Sequence, residues 1–143
     1  SGKTTKLFTY IKKLPSVDGI LVPIVNEKRM LYHISSKVMK VFEVDKESSK
    51  TVSIGKYIFL KESFDWANQK ILQSYNDEPD YLVIDEIGKL ELRKEGLHDS
   101  FATILKSISH SNTSLILVIR NYLLNEVMRT YNIPEENYEI LEL

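Results

Sequence analysis

The sequence of 143 residues predicts an α/β fold, a mainly parallel, doubly wound sheet with an antiparallel β insertion. Three observations predict it. Tyr81–Ile84 is a continuous apolar run ending in Asp85-Glu86, as expected of a strand buried on both faces, and Ser114–Ile119 is a second such run. Helical patterns of 10–15 residues alternate with these strands. Between the first helix and the second lies a β-rich stretch broken by charged turns.

Taken in order, Leu7, Phe8, Ile11 and Leu14 follow helical spacing, and Pro15 marks the stop. Gly19–Val25 is a short β-rich run, continued by strands around Met30–Ile34, Val38–Val44 and Tyr57–Leu60, with turns at Asn26–Arg29 and Asp45–Lys50. Ser63 is placed to cap a helix whose apolar side is Phe64, Ala67, Ile71, Leu72 and Tyr75. Asp77-Glu78-Pro79-Asp80 breaks that helix. After the first buried strand, Leu97, Phe101, Ile104, Leu105 and Ile108 line another helix. Leu123, Leu124, Val127, Met128 and Tyr131 line the last, stopped near Pro134, and Tyr138–Leu143 reads as a final strand. No repeat, low-complexity segment or linker divides the chain, so residues 1–143 are expected to form one domain.

Composition narrows the function classes. A net charge of −1 gives no broad electrostatic case for nucleic acid or an anionic membrane as partner. The absence of cysteine removes disulfides, thiolate nucleophiles and Cys-based zinc sites, and it fits a reducing, cytoplasmic setting. No apolar run approaches the roughly 20 residues that cross a bilayer. His33, His98 and His110 are isolated and read as structural or surface groups, while Trp66 and Tyr75 read as core.

Two short motifs carry chemistry. Gly2-Lys3-Thr4-Thr5, opening the first helix after Ser1, is the second half of a phosphate-binding loop, G-x-x-x-x-G-K-[ST]. The expected start of the chain is therefore inside that loop, with the first glycine and its strand missing. Glycine lets backbone N–H groups approach phosphate, and the helix N-terminus adds a fixed positive field. Lys3 is placed to reach the β- and γ-phosphates, Thr4 to ligate Mg²⁺ and Thr5 to bond the α-phosphate. Asp85-Glu86 is the complementary half, an acidic pair at the C-terminal edge of a buried strand, where open α/β sheets bind ligands. Asp85 is the expected partner of Mg²⁺, and Glu86 the group that orients or deprotonates an attacking water.

Asp85-Glu86-Ile87-Gly88-Lys89-Leu90-Glu91-Leu92 resembles the DEIG-x-(M/L)-EL signature of the thermophile/cancer-related nucleoside-triphosphatase family. Gly19-Ile20-Leu21, the hairpin Lys28-Arg29-Met30-Leu31-Tyr32, Ile54-Gly55-Lys56-Tyr57 and the strand ending in Arg120 extend the resemblance over nearly the whole chain. It implies a three-layer RecA/AAA-like α/β fold and Mg²⁺-dependent hydrolysis of ATP, GTP or another nucleoside triphosphate. It also implies Lys3, Thr4, Asp85 and Glu86 in the roles above. Two features depart from the family. Lys89 stands where the family usually has Pro or a similar residue, and the C-terminal Asn-Arg element after the final strand is absent. Base recognition is therefore sought outside these residues, and truncation at the C-terminus is expected.

Some residues carry two readings. Arg120 at a strand edge either neutralises charge on the transferring phosphoryl group or is a solvated strand end. Gly88 is a turn glycine with positive φ, or a signature residue of unassigned role. Glu91 is a salt-bridged helix start or a functional member of the signature. Arg29 and Lys56 either approach phosphates or form a solvated face, the reading their residue types favour. The expected function is hydrolysis of the β–γ bond. The alternatives are a nucleotide or small-molecule kinase on the same fold, for which no arginine-rich cluster is found, and a nonenzymatic nucleotide-dependent switch.

Overall fold

The computed structural model describes residues 2–143, with side chains from Thr4 onward. The chain runs through α1 (Gly2–Ile11), β1 (Val17–Leu21), β2 (Ile24–Val25), β3 (Lys28–His33), β4 (Val38–Val41), β5 (Thr51–Ile54), β6 (Tyr57–Leu60) and α2 (Lys61–Asn76). It continues through β7 (Tyr81–Ile84), α3 (Lys89–Leu92), α4 (His98–Leu105), β8 (Ser114–Leu117) and α5 (Leu124–Thr130), with single 3₁₀ turns at Ile108–His110, Asn121–Leu123 and Glu135–Asn137.

Alternation along the strands builds three layers. β1, β7 and β8 are parallel neighbours, and β3 joins β1 antiparallel, with β4 beyond it. Successive side chains of a strand point to opposite faces. Leu21, Val83 and Ile116 therefore meet Leu7 and Ile11 of α1 on one face. Ile20, Leu82 and Ile84 meet Ala67 and Ile71 of α2, and Phe101 and Ile104 of α4, on the other. The expected α/β class and antiparallel insertion are both present.

The insertion is two pieces. Pro23, which has no N–H to donate, divides the predicted Gly19–Val25 run into β1 and β2. Asn26 and Glu27 then both take left-handed φ values, 52° and 66°, which close the β2–β3 hairpin. β5, which the sequence reading had assigned to no strand, pairs only with β6 as a separate two-stranded sheet. An aromatic cluster fastens that sheet to the core. Phe42 stacks on Phe59 at 4.3 Å, and Phe64 of α2 meets Phe42 edge-on at 4.9 Å.

Three expectations are corrected. Ser63 is not the cap of α2: the helix begins at Lys61, and Ser63 lies buried in its first turn, donating to Val41 O at 2.5 Å. β8 is half-buried rather than fully buried, because among the described residues it has a strand neighbour on one side only. Tyr138–Leu143 forms no strand, and Ile140, Leu141 and Leu143 are exposed. Glu139 and Glu142 lie three apart and so would fall on opposite faces of a strand, and no ladder forms there among the described residues.

Gly19 makes the close β1–β7 approach possible. It has φ +128°, sits opposite Val83, and a Cβ there would overlap the Val83 carbonyl. Beside it, Asp18 Oδ1 accepts the N–H groups of Gly19 (2.8 Å) and Ser35 (3.0 Å). His33, also buried, meets Ser36 Oγ through Nδ1 (2.7 Å) and Ser74 Oγ through Nε2 (2.8 Å), a structural role as expected.

Replacing Gly19 by Ala combines left-handed strain with overpacking, an expected loss of about 3 kcal/mol or more. Urea unfolding followed by circular dichroism checks this, and an unchanged midpoint would contradict the packing described. Burial holds the His33 pKa below its ordinary 6.5, although Asp18 opposes the shift. The unfolded chain thus takes up the proton first, and stability falls as pH drops through 6.5 towards the folded value. His33→Gln should reduce that fall between pH 7 and 5.5, measured as the difference from the parent in urea midpoint.

Candidate active site

The site forms where the first turn of α1 meets the C-terminal ends of β1 and β7. Asp85, the residue after β7, has its N–H bonded to Ile20 O (3.1 Å), which continues the sheet and turns its side chain inward. Its carboxylate is 2% exposed. Oδ2 accepts the backbone N–H of Val22 at 2.9 Å and lies 3.1 Å from the Thr4 hydroxyl. That hydroxyl is also 3.3 Å from Val22 O, so its single proton serves either acceptor. Residues 4, 22 and 85 are thereby tied at one point. Burial pushes the Asp85 carboxyl up to about 6, against the Val22 N–H and the Thr4 hydroxyl, with the Glu86 charge adding to the rise.

Glu86 leaves the sheet. It takes φ +69°, a conformation disfavoured for a residue with a Cβ, and its side chain is exposed. Ile87 returns at once, buried, with its N–H bonded to Val118 O at 3.0 Å. The left-handed residue is therefore Glu86 and not Gly88, whose φ is −158°, so the turn-glycine reading of Gly88 is corrected. Held strain of this kind clusters at functional sites.

A cleft of ≈ 430 Å³ opens beside these groups, lined by Thr4, Asp85, Glu86, Arg120 and the β5–β6 turn. Arg120 is exposed and precedes the 3₁₀ turn Asn121–Leu123. Thr4 also borders a second groove of ≈ 390 Å³, and Thr5, exposed on α1, lines that groove with Phe8, Leu21 and Tyr32 rather than the Asp85 cleft. Of the other predicted residues, Ser1 and the side chain of Lys3 lie outside the described residues.

Arg29 is not part of a solvated face. Its side chain is 14% exposed, lies 4.2 Å from the Tyr57 ring centroid and 3.7 Å from Glu43 Oε1, and lines the cleft. No local pattern signals this contact, because Arg29 and Tyr57 lie on strands of different sheets that the fold brings together. Lys56 is exposed, as expected. Glu91 is buried and not salt-bridged among the described residues. Oε1 accepts the Gly88 N–H (2.7 Å) and Oε2 the Leu97 N–H (2.8 Å).

The donors suit a small hard cation. A Thr hydroxyl and an Asp carboxylate are oxygen ligands, and Mg²⁺ is commonly held by one or two such groups plus phosphates and water. Among the described residues no group of three or more His, Cys, Asp or Glu forms a self-sufficient metal cage, and no helix is long and apolar enough to cross a membrane.

The chain is similar in fold to the crystal structure of THEP1 from the hyperthermophile Aquifex aeolicus, with a TM-score of 0.68 and 23% identity over 90% of this chain and 78% of that one. No curated protein matches the chain. A family model described as NTPase matches residues 1–142, and the chain belongs to that NTPase family.

Proposed function

We propose that the site hydrolyses the β–γ bond of a nucleoside triphosphate with Mg²⁺, through Lys3, Thr4, Asp85 and Glu86, with Arg120 in support. The observation that carries this reading is the 3.1 Å contact between the Thr4 hydroxyl and the Asp85 carboxylate, with Glu86 at the cleft beside them. It unites the phosphate end and the acidic end of the sequence at one place.

Thr4 and Asp85 would hold the Mg²⁺, which when bound supplies charge neutralisation for the phosphates. The backbone at Gly2 and the start of α1 cradle phosphate oxygens, and Lys3 balances charge on the β- and γ-phosphates. Glu86 orients a water and accepts its proton as the water oxygen bonds the γ-phosphorus. The bond from that phosphorus to the bridging oxygen breaks, leaving diphosphate and inorganic phosphate. Arg120 neutralises charge spread over the transferring group. Thr5, which faces the second groove, would bond the α-phosphate from the first turn of α1, and the nucleotide is ATP, GTP or another triphosphate.

Glu86→Gln should lower kcat by about 10²–10⁴ while nucleotide binding persists. Phosphate release and equilibrium binding of a fluorescent nucleotide test this together, and turnover at the parent rate would end the assignment.

Asp85→Asn should abolish Mg²⁺-dependent turnover and yet stabilise the protein without metal or nucleotide. The sign follows from the raised pKa. Above about 6 the folded state carries a buried charge, whereas the unfolded carboxyl ionises from 3.8 upward in water. The ionised carboxylate therefore costs stability at pH 8, up to about 3 kcal/mol for a rise of roughly two pKa units. Asn keeps an acceptor for the Val22 N–H without the charge. Thermal unfolding at pH 8 in chelator should show a higher Tm, and a lower one would contradict the desolvation account.

A further inference from the structure

Glu91 is a buried ionisable group that the proposed chemistry does not use. It sits 4% exposed in the four-residue helix α3, too short to require an elaborate cap for its own sake. Both of its carboxylate oxygens are committed to backbone N–H groups on either side of it in sequence, Gly88 and Leu97. The Gly88 contact is the reach-back half of a capping box, since glycine has no side chain to return the bond.

The surroundings are built to keep that carboxylate in place. Gly96 has φ +63°, and a Cβ there would overlap Glu91 Oε2. Asn68 of α2 braces the same loop, donating to Gly96 O (3.0 Å) and accepting the Ser100 N–H (3.0 Å). The Tyr131 hydroxyl donates to Glu91 O (3.0 Å), and burial together with the Glu91 charge lifts its pKa to about 12, so it remains a donor. Burial raises the Glu91 carboxyl pKa while its backbone donors lower it. A carboxylate of this kind is expensive to bury, and helix capping alone explains only one of its two bonds.

The second function lies two residues before Gly88. Glu86 is held left-handed between Asp85, whose N–H is fixed to Ile20 O, and the Ile87–Gly88 segment, whose N–H groups go to Val118 O and to Glu91. A residue with a Cβ leaves that conformation unless both flanks are anchored. We propose that Glu91 is a positioning residue: through Gly88 it locks the left-handed backbone of Glu86 and so aims the carboxylate at the reacting water. This rests on the hydrolytic reading of Glu86.

The test uses Glu91→Gln, which keeps the volume but sets an amide –NH₂ against one of the two backbone N–H donors. Misplacement of a catalytic group by about 1 Å costs up to about 10²-fold. The expected result is a drop in kcat for ATP hydrolysis of about tenfold or more, with KM and fluorescent-nucleotide affinity within about threefold of the parent. A purely structural role would lower Tm but leave kcat per folded molecule unchanged. Should Glu91→Gln fail to fold, Glu91→Asp keeps the charge, is one methylene too short for both N–H groups, and should show the same split. A folded variant with kcat within twofold of the parent, or with affinity falling in step with kcat, overturns the proposal. Failure is separable from failure of the hydrolase reading. If Glu86→Gln abolishes turnover while the Glu91 variants retain it, only the positioning role is wrong.

Discussion

The Asp85 carboxylate is the point on which the rest of the site hangs. Its Oδ2 takes the Val22 N–H and meets the Thr4 hydroxyl. Those two contacts dock the first turn of α1 against the ends of β1 and β7, and they orient the oxygens that suit a hard cation. Burial lifts its pKa, so the ionised carboxylate costs stability that its two hydrogen-bond donors only partly offset.

Glu86 obeys a complementary constraint. Asp85 stays inside the sheet while its neighbour leaves it, so the backbone kinks at one residue and then rejoins β8. A left-handed glutamate achieves this, and the buried Ile87 immediately restores contact with β8. Adjacent carboxylates thus occupy unlike environments, one desolvated and one exposed. Two acidic groups with different tasks need such separation, because equivalent surroundings would give them similar protonation behaviour.

Much of this was legible in the sequence wherever a local pattern had a single physical meaning. The apolar run Tyr81–Ile84 implied a strand covered on both faces, and Asp85-Glu86 marked its C-terminal edge. Elements decided by distant partners were harder. β5 is a half-buried four-residue strand that pairs, among the described residues, with β6 alone, and Ser63 looks like a cap until the backbone of Val41 claims its hydroxyl. Tyr138–Leu143 is rich in apolar residues yet forms no ladder among the described residues. Arg29 reads as solvated until the fold brings Tyr57 against it, and Glu91, open between a salt bridge and a functional role, is held by backbone N–H groups that no local pattern shows.

The Thr4–Asp85 contact spans 81 positions of chain. Nothing local can preassemble it, so the site comes into being only when α1 has closed over the completed parallel sheet. Pairings of such high contact order tend to form late and slowly. A chain with β7 unformed would hold neither half of the site against the other. Under the proposed function, a nucleotide bound with its cation favours the finished fold over partly folded forms by mass action.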